Sequence, residues 1–205
     1  MLLKEIIENY LSGSLGNYVD FACGTGRIIS AVEQYATNSI GVDVSETMIN
    51  EARRKCKRTE FFVQDVTKQP LTLPTIDVAT AFRFFGNAQQ ELRKSVLQFL
   101  HSTLRTGGHL ILNNHRNPHS VQNRLFSLTG GQHEMDLTYG KLRKLLEEQG
   151  FQIAMTFGIG GWILRHSFAR REIFESAMSE TFEKVSRILI PPSLCPDMIV
   201  IAKKL

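Results

Sequence analysis

Cysteine is scarce: three residues in 205, at Cys23, Cys56 and Cys195. The number is odd, the spacing wide and no CxxC pair occurs, which excludes a disulfide framework and a thiolate zinc site and fits a reducing compartment. No apolar run approaches the ~18–20 residues a spanning helix needs. The opening Met1-Leu2-Leu3-Lys4-Glu5 puts charges inside the first apolar stretch, unlike an export signal. The expectation is a cytoplasmic protein without a transmembrane segment. Repeats and low-complexity tracts are also missing. Neither sign of charge dominates, with 24 Lys and Arg against 20 Asp and Glu. The net +4 permits an anionic partner without requiring one. The densest basic run, Arg53-Arg54-Lys55-Cys56-Lys57-Arg58, falls in the last turns of a predicted helix, where cations complement the helix dipole.

What is present is an ordinary globular composition, 42% hydrophobic and 21% charged, long enough for one α/β domain. Apolar residues at 2, 3, 6, 7, 10 and 11 predict an opening amphipathic helix. Tyr18–Ala22 reads as a buried strand, and Ile28, Ile29, Val32, Tyr35 and Ala36 as the face of the helix after it. Further strands are expected at 40–44, 61–64, 76–81, 109–113, 151–155 and 198–202. Ser45 and Thr138 read as helix N-caps, and Asn87 with Gln90 as a capping box. Gly107-Gly108 is expected to stop the helix that Asn87 opens. Residues 114–137 lose the pattern. Between the last two strands, residues 162–196 carry a helical stripe (Leu164, Phe168, Phe174, Met178, Phe182, Val185, Leu189) and are expected to form a helical insertion in a single domain spanning 1–205. Strands alternating with helices imply a mainly parallel sheet covered on both faces.

In such a sheet, ligands lie beyond the carboxyl ends of the strands. After the first strand comes Gly24-Thr25-Gly26, where backbone can approach a ligand and a following helix can offer N–H groups to an anion. Asp43 ends the second strand, placed to accept from ribose hydroxyls. Asp65 ends the third, placed to accept from an exocyclic amine. Asp20 stands before the turn, suited to an ammonium. A nicotinamide nucleotide bound by an oxidoreductase is the rival, but its Gly-x-Gly-x-x-Gly fingerprint meets Ile29 at the third position.

The stretch Val19-Asp20-Phe21-Ala22-Cys23-Gly24-Thr25-Gly26-Arg27 resembles motif I of the class I S-adenosylmethionine-dependent methyltransferases. Gly41–Ser45 with Met48, Phe62–Val66 and Leu104–Leu110 are similar to the acidic, adenine-contacting and pre-strand-five motifs of that family. The resemblance covers residues 15–158, with Thr106 in place of the usual Pro. It implies a Rossmann-like seven-stranded, mainly parallel sheet flanked by helices, with an antiparallel edge strand and S-adenosylmethionine as cofactor. It also implies a cofactor site of Asp20, Ala22, Cys23, Gly24, Thr25, Gly26, Asp43, Val44, Met48, Asp65, Val66 and Phe82.

Methyl transfer is an in-line displacement that asks mainly for alignment. A general base can add ~10²–10⁴-fold. His115, just past the fifth strand, is the preferred candidate, with His119 in the same loop. Arg83, Asn113, Asn114 and Tyr139 could orient a polar acceptor. Phe82-Arg83-Phe84-Phe85-Gly86 stands where amino-methylating enzymes of adenine or glutamine carry Asn/Asp-Pro-Pro-aromatic, and no Pro-Cys pair follows the fourth strand. A small molecule, lipid or sugar remains as acceptor. An RNA methyltransferase gripping phosphate with the basic helix end is the alternative.

Overall fold

The computed structural model describes residues 2–115, 117–120, 123–124, 137–160, 185 and 189–205. In chain order these form α1 (Leu2–Tyr10), β1 (Gly16–Phe21), α2 (Ile29–Val32), β2 (Ala36–Asp43), α3 (Glu46–Lys55) and β3 (Thr59–Val63). They continue with β4 (Ile76–Ala81), α4 (Gln90–Thr103), β5 (Leu104–Asn114), α5 (Tyr139–Glu148), β6 (Phe151–Ile159) and β7 (Asp197–Lys204). Much of the expected 162–196 insertion, with Leu164, Phe168, Phe174, Met178 and Phe182, lies outside the described residues, as do Gly130 and Gly131.

The strands make one seven-stranded sheet in the order β3-β2-β1-β4-β5-β7-β6. Pairings among β1 to β5 are parallel, whereas β7 runs antiparallel to both β5 and β6. This is the expected Rossmann-like sheet, with the antiparallel strand one place in from the β6 edge. No described helix is long and apolar enough to cross a membrane.

Strand alternation sorts the core into two layers. Val19, Ala79, Leu110, Leu112 and Val200 pack with Val96, Leu97 and Leu100 of α4 and Leu142 and Leu146 of α5. Tyr18, Val78, Ile111 and Ile201 point the other way, against Leu3, Ile6 and Ile7 of α1 and Ile29 and Val32 of α2. The near-continuous apolar sequences of β4 and β7 follow from this two-sided burial.

The caps at Ser45 and Thr138 form as expected: each side chain accepts from the backbone N–H three residues on, Met48 and Lys141. Three local expectations change. The helix after β1 is a single α turn followed by a 3₁₀ turn, and Ala36 already belongs to β2. α4 begins at Gln90 with no side-chain cap, because the Asn87 side chain is used elsewhere. It ends at Thr103, and β5 runs straight through Gly107-Gly108 with a register shift between its pairings to Ile76 and Val78.

Candidate functional site

Because β2 and β3 lie on one side of β1 and β4 on the other, the strand order switches between β1 and β4. A crevice at the carboxyl tips is the expected result. A cleft of about 620 Å³ opens there. One bank comes from the β1 turn and its neighbours: Asp20, Ala22, Cys23, Gly24, Thr25, Arg27, Ile28, Asp43 and Met48. The other is the segment after β4 and the start of α4: Phe82, Arg83, Phe84, Asn87, Ala88 and Leu92.

The first bank is a tight turn. Ala22, Gly24 and Gly26 all have positive φ, 53°, 54° and 75°. The Cys23 N–H donates to Val42 O at 3.1 Å and the Gly26 N–H to Cys23 O at 3.0 Å, so the turn is tied to β2. A Cβ on Gly26 would sit 2.9 Å from Ala52 Cβ of α3, so this glycine lets α3 pack against the turn. Asp43 braces the same turn: Oδ2 accepts from the Gly24 N–H at 2.8 Å and Oδ1 from the Ser45 N–H at 2.9 Å. Each oxygen keeps a lone pair for another donor. Cys23 is buried, and burial first, with Asp20 and Asp43 next, drives its pKa far up. The thiol stays neutral and is no nucleophile.

Asp20 is 1% exposed and belongs to a buried relay. Thr80 Oγ1 donates to Asp20 Oδ1 at 2.6 Å, and the Tyr18 hydroxyl lies 2.6 Å from the same Thr80 oxygen. Thr80 has one hydroxyl proton and gives it to the carboxylate, so Tyr18 is the donor to Thr80. Burial raises the Tyr18 pKa, which keeps it protonated for that role. Asp20 Oδ2 is buried with no hydrogen-bond partner among the described residues. Desolvation pushes the Asp20 pKa up to about 7; hydrogen bonds from Thr80 and the Ile29 backbone pull it down, and nearby Asp43 raises it. A buried carboxylate lining a cleft with one oxygen unsatisfied is built to receive a cationic donor.

The second bank is strained and firmly held. Arg83 has φ 59°, a conformation that costs a non-glycine residue about 1–3 kcal/mol. Its N–H donates to Asn113 Oδ1 at 2.5 Å and its carbonyl accepts from Asn87 Nδ2 at 2.8 Å. Two residues on, Phe85 O accepts from buried Arg93 Nε at 2.8 Å. Phe84 stands edge-on between Phe21 and Phe85, with ring centroids 5.1 and 5.2 Å away.

Residues 19–108 match the family model of a methyltransferase domain. That match spans 90 of the 205 residues and agrees with the family resemblance of the sequence. No curated protein matches its sequence. Among solved structures, the magnesium protoporphyrin IX methyltransferase of Synechocystis with bound S-adenosylhomocysteine is 18% identical, covering 100% of this chain and 80% of that one at TM-score 0.67. The methyltransferase in a complex with the Trm112 activator of Haloferax volcanii is 16% identical (98% and 88% covered, TM-score 0.68). The N-methyltransferase NodS of Bradyrhizobium japonicum is 13% identical (99% and 83% covered, TM-score 0.63). At these identities the likeness is one of fold.

The cleft gathers Asp20, Ala22, Cys23, Gly24, Thr25, Asp43, Met48, Phe82 and Arg83 of the sequence-derived site. Gly26 lies inside the turn rather than on its surface. Val44 is 67% exposed and does not line the cleft, nor do Asp65 and Val66. The Asp65 carboxylate turns back on its own loop, accepting from Thr67 Oγ1 at 2.6 Å and pairing with Lys68 at 3.0 Å.

The acceptor-side candidates are also dispersed. His115 is buried behind the wall: a Cβ on Gly86 would sit 3.0 Å from its ring, and its Nε2 lies 3.2 Å from Asn87 Oδ1. Asn114 is fully buried and donates to Leu137 O at 2.8 Å, tying the sheet to the start of α5. Tyr139 packs on the core, and His119 is exposed. Arg27, Ile28, Phe84, Asn87, Ala88 and Leu92 line the cleft without having been singled out. Their signal was proximity to the β1 and β4 tips.

Proposed function

We propose that the enzyme transfers the methyl group to a small-molecule acceptor, a class that here includes sugars and lipids, lodged between the cofactor and the Phe82–Leu92 wall. One observation carries this reading: the glycine turn, the carboxylates and the aromatic wall line a single cleft of about 620 Å³. Magnesium protoporphyrin IX, named for one structural neighbour, is an acceptor of this general kind.

In this reading Asp20 Oδ2 takes the cofactor's ammonium and Asp43 its ribose hydroxyls, while Met48 and Phe82 flank the nucleoside. S-adenosylmethionine, when bound, would supply an electrophilic methyl group on sulfur, and the second bank would hold the acceptor's lone-pair atom in line with it. Alignment of this kind supplies about 7–11 kcal/mol in favourable cases. His115 reaches the cleft through Asn87 and acts as a positioning residue for it.

Incubating the protein with methyl-labelled cofactor, a metabolite extract and total RNA tests the reading. Label should enter the low-molecular-weight or lipid fraction; label in RNA alone would refute it.

A further inference from the structure

Four charged residues line the cleft: the carboxylates Asp20 and Asp43, and the exposed Arg27 and Arg83. On the proposed reading the cofactor takes the two carboxylates, and Arg27 belongs to the glycine turn on the same bank. Arg83 remains, on the opposite bank.

The position of Arg83 is unusual. A glycine would hold φ 59° without the clash that a Cβ brings. Asn113 and Asn87 fix both of its peptide groups, so the backbone is held there by side chains committed to that task. Its guanidinium makes no hydrogen bond or ion pair with any described residue. The same bank carries Phe82, Phe84, Ala88 and Leu92, with Asn87 as its other polar residue. A forked, permanent cation beside aromatic rings recognises planar anions by paired hydrogen bonds.

We propose that Arg83 is the specificity residue of the acceptor site, binding a carboxylate or phosphate on an acceptor whose apolar body lies against Phe84 and Leu92. This rests on the methyltransferase reading of the cleft. The acceptor is therefore anionic, and Arg83 anchors it for alignment with the methyl carbon.

The test uses the full chain saturated with S-adenosylhomocysteine, titrated with benzoate, phenyl phosphate and benzyl alcohol as probes and followed by ligand-observed NMR. Benzoate or phenyl phosphate should bind about tenfold more tightly than benzyl alcohol, and which of the two prevails assigns the anion. R83Q should abolish the preference and leave S-adenosylhomocysteine affinity within about twofold. R83K should retain part of it. R83G should melt at the same temperature or higher, since it relieves the strained turn.

Equal binding of all three probes overturns the proposal, as does a preference that survives in R83Q. So does a comparable loss of S-adenosylhomocysteine binding in R83Q, which would give Arg83 to the cofactor's own carboxylate. A lower melting temperature for R83G would make the side chain structural and overturn it too. If the wild-type protein fails to bind S-adenosylhomocysteine, the methyltransferase reading falls first and this one with it.

Discussion

Replacing Asp20 by Asn should remove most of the pH dependence of cofactor binding. The carboxylate is buried, and its pKa rises from about 3.8 to about 7 in the free protein. Between those limits the folded chain holds a proton that the unfolded chain has released. The stability of the neutral form is therefore complete below pH ~4 and declines as pH rises to ~7. Three pH units at ~1.4 kcal/mol each come to about 4 kcal/mol. A cationic cofactor reverses the preference, because its ammonium favours the ionised carboxylate. Binding must then expel the proton, and affinity should fall up to about tenfold for each pH unit below 7. Calorimetry with S-adenosylhomocysteine from pH 5.5 to 8.5, in two buffers of different ionisation enthalpy, reads both the slope and the proton release. Asp20→Asn should bind more weakly at pH 8 and show neither. A wild-type affinity that is flat from pH 8 to 6, or a slope that persists in the variant, would refute the reasoning.

Thr80→Val strips Asp20 and Tyr18 of their shared hydroxyl, which should cost about 1–3 kcal/mol in denaturant melts and move the midpoint of pH-dependent binding upward. Gly26→Ala places a Cβ 2.9 Å from Ala52 at φ 75°; melts should show a loss of about 1–3 kcal/mol, and cofactor affinity should drop with it. His115→Ala should leave cofactor affinity within about twofold while lowering kcat, and an unchanged kcat would remove His115 from the mechanism. Within the basic run, Lys55 donates to Thr25 O at 3.0 Å and Arg53 to Asn50 Oδ1 at 3.1 Å, while Arg54, Lys57 and Arg58 are exposed. The small-molecule reading predicts no retention on an RNA column at low salt, and strong salt-dependent retention would restore the RNA alternative.

The sheet was legible because burial on both faces leaves continuous apolar segments: 76–81 is a strand in sequence and structure alike. Caps at Ser45 and Thr138 were legible because their chemistry is local. The helix after β1 was over-read. Ile28, Ile29, Val32, Tyr35 and Ala36 fit a helical period, but Ala36 is drawn into the ladder with β1, pairing with Gly16. The glycine turn was legible from Gly24 and Gly26, but the brace that Asp43 gives it spans 19 residues of sequence.

The second bank was harder because it depends on distant partners. Asn87 looked like a helix cap; its side chain instead holds a strained carbonyl four residues back and contacts His115. Nothing local marks φ 59° at Arg83. The strand tip of β5 suggested a polar cluster, but alternation sends Asn113 toward Arg83 and Asn114 toward Leu137. Asp65 satisfied its strand-end position, but Thr67 and Lys68 supply donors that draw it into a turn.

The central claim is that a sulfonium nucleoside lies over the tips of β1 and β2, with its amino group on Asp20 and its sugar on Asp43. The most direct measurement is parallel calorimetric titration of ligand-free wild-type protein and Asp43→Ala with S-adenosylhomocysteine and with NAD. The account predicts heat with S-adenosylhomocysteine alone, and a binding constant at least tenfold weaker in the variant. Heat with NAD but none with S-adenosylhomocysteine, or equal binding by both proteins, would contradict it.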